Sequence, residues 1–226
     1  MRLPTVLLAT AFATLLAPLA WGQAKAIAAE TAAMADAEGL QKVKVHGLDT
    51  VYAQPGAKLS AYDKVMLDPI EVSFSKSWQP ESGHQRITAA EKQEIRDGLA
   101  KVLREAFGKE LERSGRYDVV DAPGDDVLRI KAEIRDLYIN APDLQRAGVT
   151  RSYALSAGEM TLVAELRDSA TGALIARIID RKRDPEKTWL ELTSSVDNVA
   201  AAQRAAASWA KALREHLDAA RGIGGN

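Results

Sequence analysis

Apolar residues recur at steps of three and four between residues 88 and 115: Ile95, Leu99, Val102, Leu103, Ala106, Phe107 and Leu111. That period places them on one side of a helix, with Glu91, Lys92, Glu94, Arg96, Asp97, Lys101, Arg104 and Glu105 spread over the rest of the cylinder. Thr88 stands three residues before Glu91, the spacing of a capping box, and Gly115 supplies the left-handed residue that ends a helix. With only one apolar face, this helix is expected to lie on a sheet. A second stripe, Val199, Ala202, Ala206, Trp209, Leu213 and Leu217, predicts a helix over residues 195–221, capped by Ser194 or Ser195 and released by Gly222, Gly224 and Gly225.

Elsewhere the period is two. Val65 and Leu67 alternate in one phase, Ile70, Val72 and Phe74 in the other, and the slip falls at Asp68-Pro69. Proline has no N–H to give to a ladder, so a bulge or an edge position is expected there. Residues 117–121 read as a short strand. Leu128, Ile130, Ala132 and Ile134 alternate with Arg129, Lys131, Glu133 and Arg135, a strand with one apolar and one charged face. Met160, Leu162, Ala164 and Leu166 alternate again, residues 168–172 (DSATG) turn the chain, and residues 158–183 read as a β-hairpin. Residues 75–86 and 140–157 have no clean period and read as loops.

This order predicts an α+β fold. A single domain over residues 62–221 would hold a mainly antiparallel sheet of about four to five strands, with two amphipathic helices on one face. Residues 23–40 are alanine-rich and offer few large apolar groups to bury. The stretch 41–61 is ambiguous, with a short strand at Val43 and Val45 as one option and a turn at Pro55-Gly56. Together 23–61 reads as a flexible leader, and 222–226 as a disordered tail.

The first residues change the picture most. Arg2 is followed by an apolar run over residues 3–19, then by Ala20-Trp21-Gly22, with small residues where a signal peptidase needs them. Residues 1–22 therefore read as a signal peptide. The run is short for a span and no basic cluster follows it, so no transmembrane span is expected after its removal. The mature chain is expected to be periplasmic and soluble. The sequence has no cysteine, which excludes disulfides, a thiolate nucleophile, Cys-ligated zinc and a lipid-modified N-terminus; it is not a lipoprotein. With Arg2 gone, 29 basic residues face 31 acidic ones, a net charge of −2, and the two signs are interleaved. That argues against a nucleic-acid partner.

Few motifs survive a search for chemistry. His46, His84 and His216 lack ligand spacing, so no metal site is assigned. Ser73 and Lys76 match an SxxK pattern, but at a strand end and without a KTG; GxSxG, GxxxxGK[ST] and GxGxxG are absent, and Asp121, Asp125 and Asp126 lack calcium-loop spacing. No catalytic or cofactor-binding residue is assigned and no cofactor is expected. Six residues remain as binding candidates. Arg177, Arg181 and Arg183 form a basic run suited to an anionic partner, such as a lipid headgroup or glycan, or to a charged edge that blocks strand addition. Trp78, His84 and Tyr153 fall in the two loops, where aromatic side chains can anchor a partner.

Four blocks carry a family likeness: YDKVMLDPIEVSF followed by a tryptophan, the helical stretch from TAAEKQEIRDGL to DDVLRIKAEI, the hairpin GEMTLVAELRDSATGALIARIIDRKRD, and WAKALREHLD. In this order they resemble the bacterial domain-of-unknown-function family 3313, over roughly residues 64–218. The resemblance implies a single domain opening with a strand and a helix, and an exported envelope protein. Many members resemble lipoproteins, from which this chain departs by having no cysteine. The resemblance carries no catalytic residues. The expected role is a non-catalytic binding or accessory component of the cell envelope, with an envelope protein, glycan or lipid headgroup as partner. The rival readings are a periplasmic hydrolase built from scattered residues around His84, and a protein that self-associates through a sheet edge or the C-terminal helix.

Overall fold

The computed structural model describes residues 19–76, 78, 88–113, 115–139, 157–183 and 195–222; the side chains of 19–22, 24, 139, 157–158, 183 and 195–201 lie outside the description. In chain order the elements are α1 (Leu19–Ala37), β1 (Gln41–Val43), β2 (Thr50–Ala53), a single 3₁₀ turn (Leu59–Ala61), β3 (Lys64–Leu67), β4 (Glu71–Phe74), α2 (Ala89–Glu112), β5 (Asp118–Val119), β6 (Val127–Ile139), β7 (Ala157–Asp168), β8 (Leu174–Arg183) and α3 (Ser195–Ala220). The fold is α+β in one domain, built on a mixed sheet of eight strands.

The three long strands β6, β7 and β8 form its antiparallel centre, where Ala132 faces Ala164 and Ala164 faces Ile178. Their alternation sorts the sheet into two faces. Leu128, Ile130, Ala132, Ile134, Met160, Leu162, Ala164, Leu166, Ala176 and Ile178 are buried on one. Helices α2 and α3 pack side by side over that face. They contribute Ile95, Leu99, Leu103, Phe107 and Leu111 from α2, and Ala202, Ala206, Trp209, Leu213 and Leu217 from α3. The Thr88–Glu91 capping box forms: Thr88 Oγ1 accepts from Glu91 N, and Glu91 Oε2 accepts from Thr88 N at 2.7 Å. Gly115 closes α2 at φ +64°. The predicted hairpin turn forms too, with Asp168 Oδ1 accepting from Thr171 N at 2.7 Å.

Two expectations are corrected. The sheet has eight strands in the order β1-β2-β8-β7-β6-β3-β5, with β4 also on β6, where about four to five antiparallel strands were expected. The run 65–74 breaks at Pro69 into β3 and β4, which lie end to end along one side of β6; both pair with it in parallel, and β5 pairs in parallel with β3. Parallel pairing needs a crossover, which α2 provides between β4 and β5. Side-chain alternation is blind to strand direction, so the periodicity could not show this.

Second, the 23–61 stretch is no mobile leader as described: α1 occupies its start, and β1 and β2 extend the sheet at the β8 edge. Backbone pairing holds these short strands, and it needs no apolar pattern. The expected pair of helices on one face is present as α2 and α3. Helix α1 lies on the other one, where Glu30 reaches Arg135 and Glu38 reaches Arg177. The proposed signal cleavage site precedes Gln23, within α1; residues 1–18 and the tail 223–226 lie outside the described residues.

Candidate functional site

The charged face of the sheet is built by the alternate residues of β6, β7 and β8. One row runs Arg135, Thr161, Arg181; another runs Lys131, Glu165, Arg177 and on to Tyr52 of β2. Arg177 is 4% exposed. Its Nη2 donates to Glu165 Oε1 at 2.6 Å, and its Nη1 lies 2.9 Å from Oε2 of Glu38, the residue just past the end of α1. Arg167 Nε donates to the other oxygen of Glu165 at 2.9 Å. Burial works to raise the Glu165 carboxyl, but the hydrogen bonds from Arg177 and Arg167 outweigh it and hold the group below the usual glutamate range. Arg135 repeats the scheme: Nε donates to Glu133 Oε2 at 2.8 Å, and Nη1 donates to Glu30 Oε1 of α1 at 3.3 Å. Arg181 pairs with Glu159. Between these pairs the Thr161 hydroxyl is buried with no hydrogen-bond partner. On this face, then, lie charges, a hydroxyl and the apolar pair Val163 and Ile179, the latter buried, and the most buried side chains of α1 itself are Thr31 and Ala35.

Two further polar assemblies sit among the helices. Asp180 projects from the apolar phase of β8 and is 1% exposed. Its Oδ2 accepts from Trp209 Nε1 of α3 at 2.6 Å, its Oδ1 accepts from Asp49 N at 2.8 Å, and Lys182 Nζ lies 3.0 Å away. Asp49 answers by accepting from Arg181 N at 2.9 Å. At the far ends of α2 and α3, Arg214 bridges Glu110 (3.1 Å) and Asp218 (2.9 Å), and Tyr117 donates to Asp218 at 2.9 Å. Burial and then this hydrogen bond push the Tyr117 hydroxyl above its ordinary range, against the opposing effect of Arg221. Each assembly ties elements distant in sequence. The core also holds an apolar void of about 20 Å³ between Phe107, Ile130, Trp209 and Leu213, room for a single water.

Of the predicted binding residues, the fold brings Arg177 and Arg181 together on the charged face. Strand β2 pairs with residues 176–179 of β8, so Arg177 is not at a sheet edge; Arg181 lies beyond that pairing, with its amide donating to Asp49 Oδ2. Trp78 is buried elsewhere, stacked on Phe74 at 4.3 Å between ring centres with Lys92 over its own ring at 5.6 Å; it closes the core at the start of α2. His84, Tyr153 and the side chain of Arg183 lie outside the described residues. The Ser73 hydroxyl donates to the Ile134 carbonyl, so it serves the sheet. Among the described residues no three His, Asp or Glu side chains converge as metal ligands, and no helix is long and apolar enough to cross a membrane.

The sequence reading missed Glu30, Glu38 and Asp180. Asp180 left a signal, a charged residue in the inward phase set by Ala176 and Ile178. Glu30 and Glu38 left none, because pairing between a helix and a sheet has no imprint on local periodicity.

The chain has distant likenesses among solved structures. It resembles in outline the PelC dodecamer from Paraburkholderia phytofirmans, at 12% identity over 73% of this chain and 98% of the other, with a TM-score of 0.36. A Xanthomonas campestris protein of family DUF330 gives 15% identity over 79% and 92%, TM-score 0.38. A DUF4136 family protein from Bacteroides thetaiotaomicron gives 13% over 79% and 97%, TM-score 0.34. Likenesses this distant lend no property to the chain. No curated protein matches it in sequence. A family model does, across residues 29–213, and its description reads "Protein of unknown function (DUF3313)".

Proposed function

The chain belongs to the DUF3313 family, and from that premise we propose that it is an exported, periplasmic, non-catalytic accessory component of the cell envelope that works by binding. The observation that carries this reading is the charged sheet face. One side of the sheet is spent on the core; the other presents ordered rows of arginine and glutamate, part under α1 and part, at Arg129 and Lys131, open to solvent. Such a face suits recognition of a charged partner by electrostatic complementarity. The arginines and carboxylates described are committed to one another as structural cross-links, which supports binding over acid–base chemistry. Export is supported by the pattern of residues 1–22.

The test is fractionation of cells expressing the tagged full chain, followed by cross-linking in the periplasm. Recovery in the periplasmic fraction with the leader removed, joined to a specific envelope component, is expected. A chain retained uncut in the cytosol would overturn the proposal. So would turnover by the purified protein that one polar substitution abolishes.

A further inference from the structure

We infer that the charged face is a receptor for an acidic helical segment of a partner protein, and that α1 is its built-in occupant, seated in the free chain and displaced on binding. The inference rests on the binding role proposed above and names the partner chemistry and its control.

Helix α1 shows what the face accepts. Glu30 of α1 and Glu38, one residue past its end, stand eight residues apart, about 12 Å at helical rise, and meet Arg135 and Arg177. Each of these guanidinium groups already shares a sheet carboxylate, Glu133 or Glu165, so Glu30 or Glu38 supplies the second acid of a three-membered set. Arg167 and the Arg181–Glu159 pair complete the charged surroundings. A partner helix with two carboxylates at the same spacing would replace both contacts in kind.

The hold on α1 is thin. The two glutamate side chains are 49% and 40% exposed, and ion pairs that wet contribute little. Thr31 satisfies its hydroxyl within the helix, on the Ile27 carbonyl, and leaves the Thr161 hydroxyl beneath unpartnered. A permanent cover would satisfy that group; the large apolar side chains buried here are few, Leu40 of the link and Ile179 of the sheet. The connection to β1 is a single capped turn: Gly39 takes φ +72°, Leu40 N donates to the Ala35 carbonyl at 2.9 Å, and Leu40 is buried, so release of α1 would pivot on this turn.

The test uses the purified full chain and a fluorescent peptide of residues 23–38, read by anisotropy. A double variant, Glu30→Lys with Glu38→Lys, weakens the resident helix. It should bind the peptide at least about tenfold more tightly than wild type, because the open state no longer competes with its own cover. Adding Arg135→Glu and Arg177→Glu should abolish binding, as should a peptide carrying Gln in place of both glutamates. Raising salt to about 0.5 M should weaken binding. Absence of binding to the Lys variant, or equal binding of the Gln peptide, overturns the inference.

If the Lys variant fails to fold, hydrogen exchange on wild type decides. Amides of residues 25–37 should exchange far faster than those of β6 and faster still in high salt; equal protection overturns the inference. A dimer in sedimentation that requires Glu38 of one chain and Arg177 of another would also count against it, since the occupant would then be a second copy. Because the assay uses isolated protein, its failure leaves the envelope assignment to fractionation, and a cytosolic chain that still takes the peptide would sink that assignment alone.

Discussion

Replacing Asp180 by Ala probes the packing of α3 on the sheet. The carboxylate is 1% exposed and accepts from Trp209 Nε1 and from Asp49 N. Truncation strands the buried Trp209 Nε1, and an orphaned buried donor costs about 1–3 kcal/mol. Asp49 is exposed and Lys182 is 32% exposed, so both rehydrate and their shares are small. The sum is about 1–3 kcal/mol, most of it from the indole. Asp180→Asn keeps one carbonyl acceptor and should cost about half as much. Urea unfolding followed by far-UV circular dichroism measures both. A double-mutant cycle with Trp209→Phe should show a coupling of about 1–3 kcal/mol. A cost below about 1 kcal/mol for Asp180→Ala, or additive single changes, would show that the contact does not hold α3 and would refute the reasoning.

Leu103→Ala removes a fully buried side chain from the middle of α2 and should destabilise by about 2–5 kcal/mol in the same assay. Thr88→Ala deletes half of the capping box at an exposed helix start and should cost about 0.5–2 kcal/mol. Burial, then the hydrogen bond to Asp168, pushes the Tyr62 hydroxyl up to about 12. Its folded value lies above the unfolded one, so the stability it adds is complete below about pH 10 and is lost as pH rises toward 12; alkaline unfolding of Tyr62→Phe should be shallower across that window. The Glu165 carboxyl is held down, so its contribution is present above about pH 4.3 and fades as pH falls below it; Glu165→Gln should flatten the acid limb of a stability–pH curve.

Much of this architecture could be read from side-chain periodicity, and the exceptions share a cause. Helices α2 and α3 and the strands β6 to β8 each bury one face, so Leu99, Ile130 and Trp209 declared themselves by spacing. Strands β1 and β2 are three and four residues long and are held by backbone pairing, which leaves little pattern to find, whereas β5 falls within the strand read at 117–121. The direction of β3 and β4 depends on a crossover and not on which residues point inward. Arg177 stood out as basic, yet its burial depends on Glu165 from the neighbouring strand and Glu38 from a turn far upstream. Trp78 read as a loop anchor because a sequence cannot show that Phe74 and Lys92 close around it.

The position of β2 has a consequence for how the chain assembles. Thr50 pairs with Ile179, and the Asp49 amide finds its acceptor 131 residues downstream. The first strands to emerge from the ribosome are thus among the last to find their neighbour, since nothing can receive them until β8 has been made. Pairings this remote slow the search for the native topology. A chain kept unfolded for passage through a membrane pore would meet that delay only on the far side, so termination short of residue 174 should leave the opening hairpin without a dock.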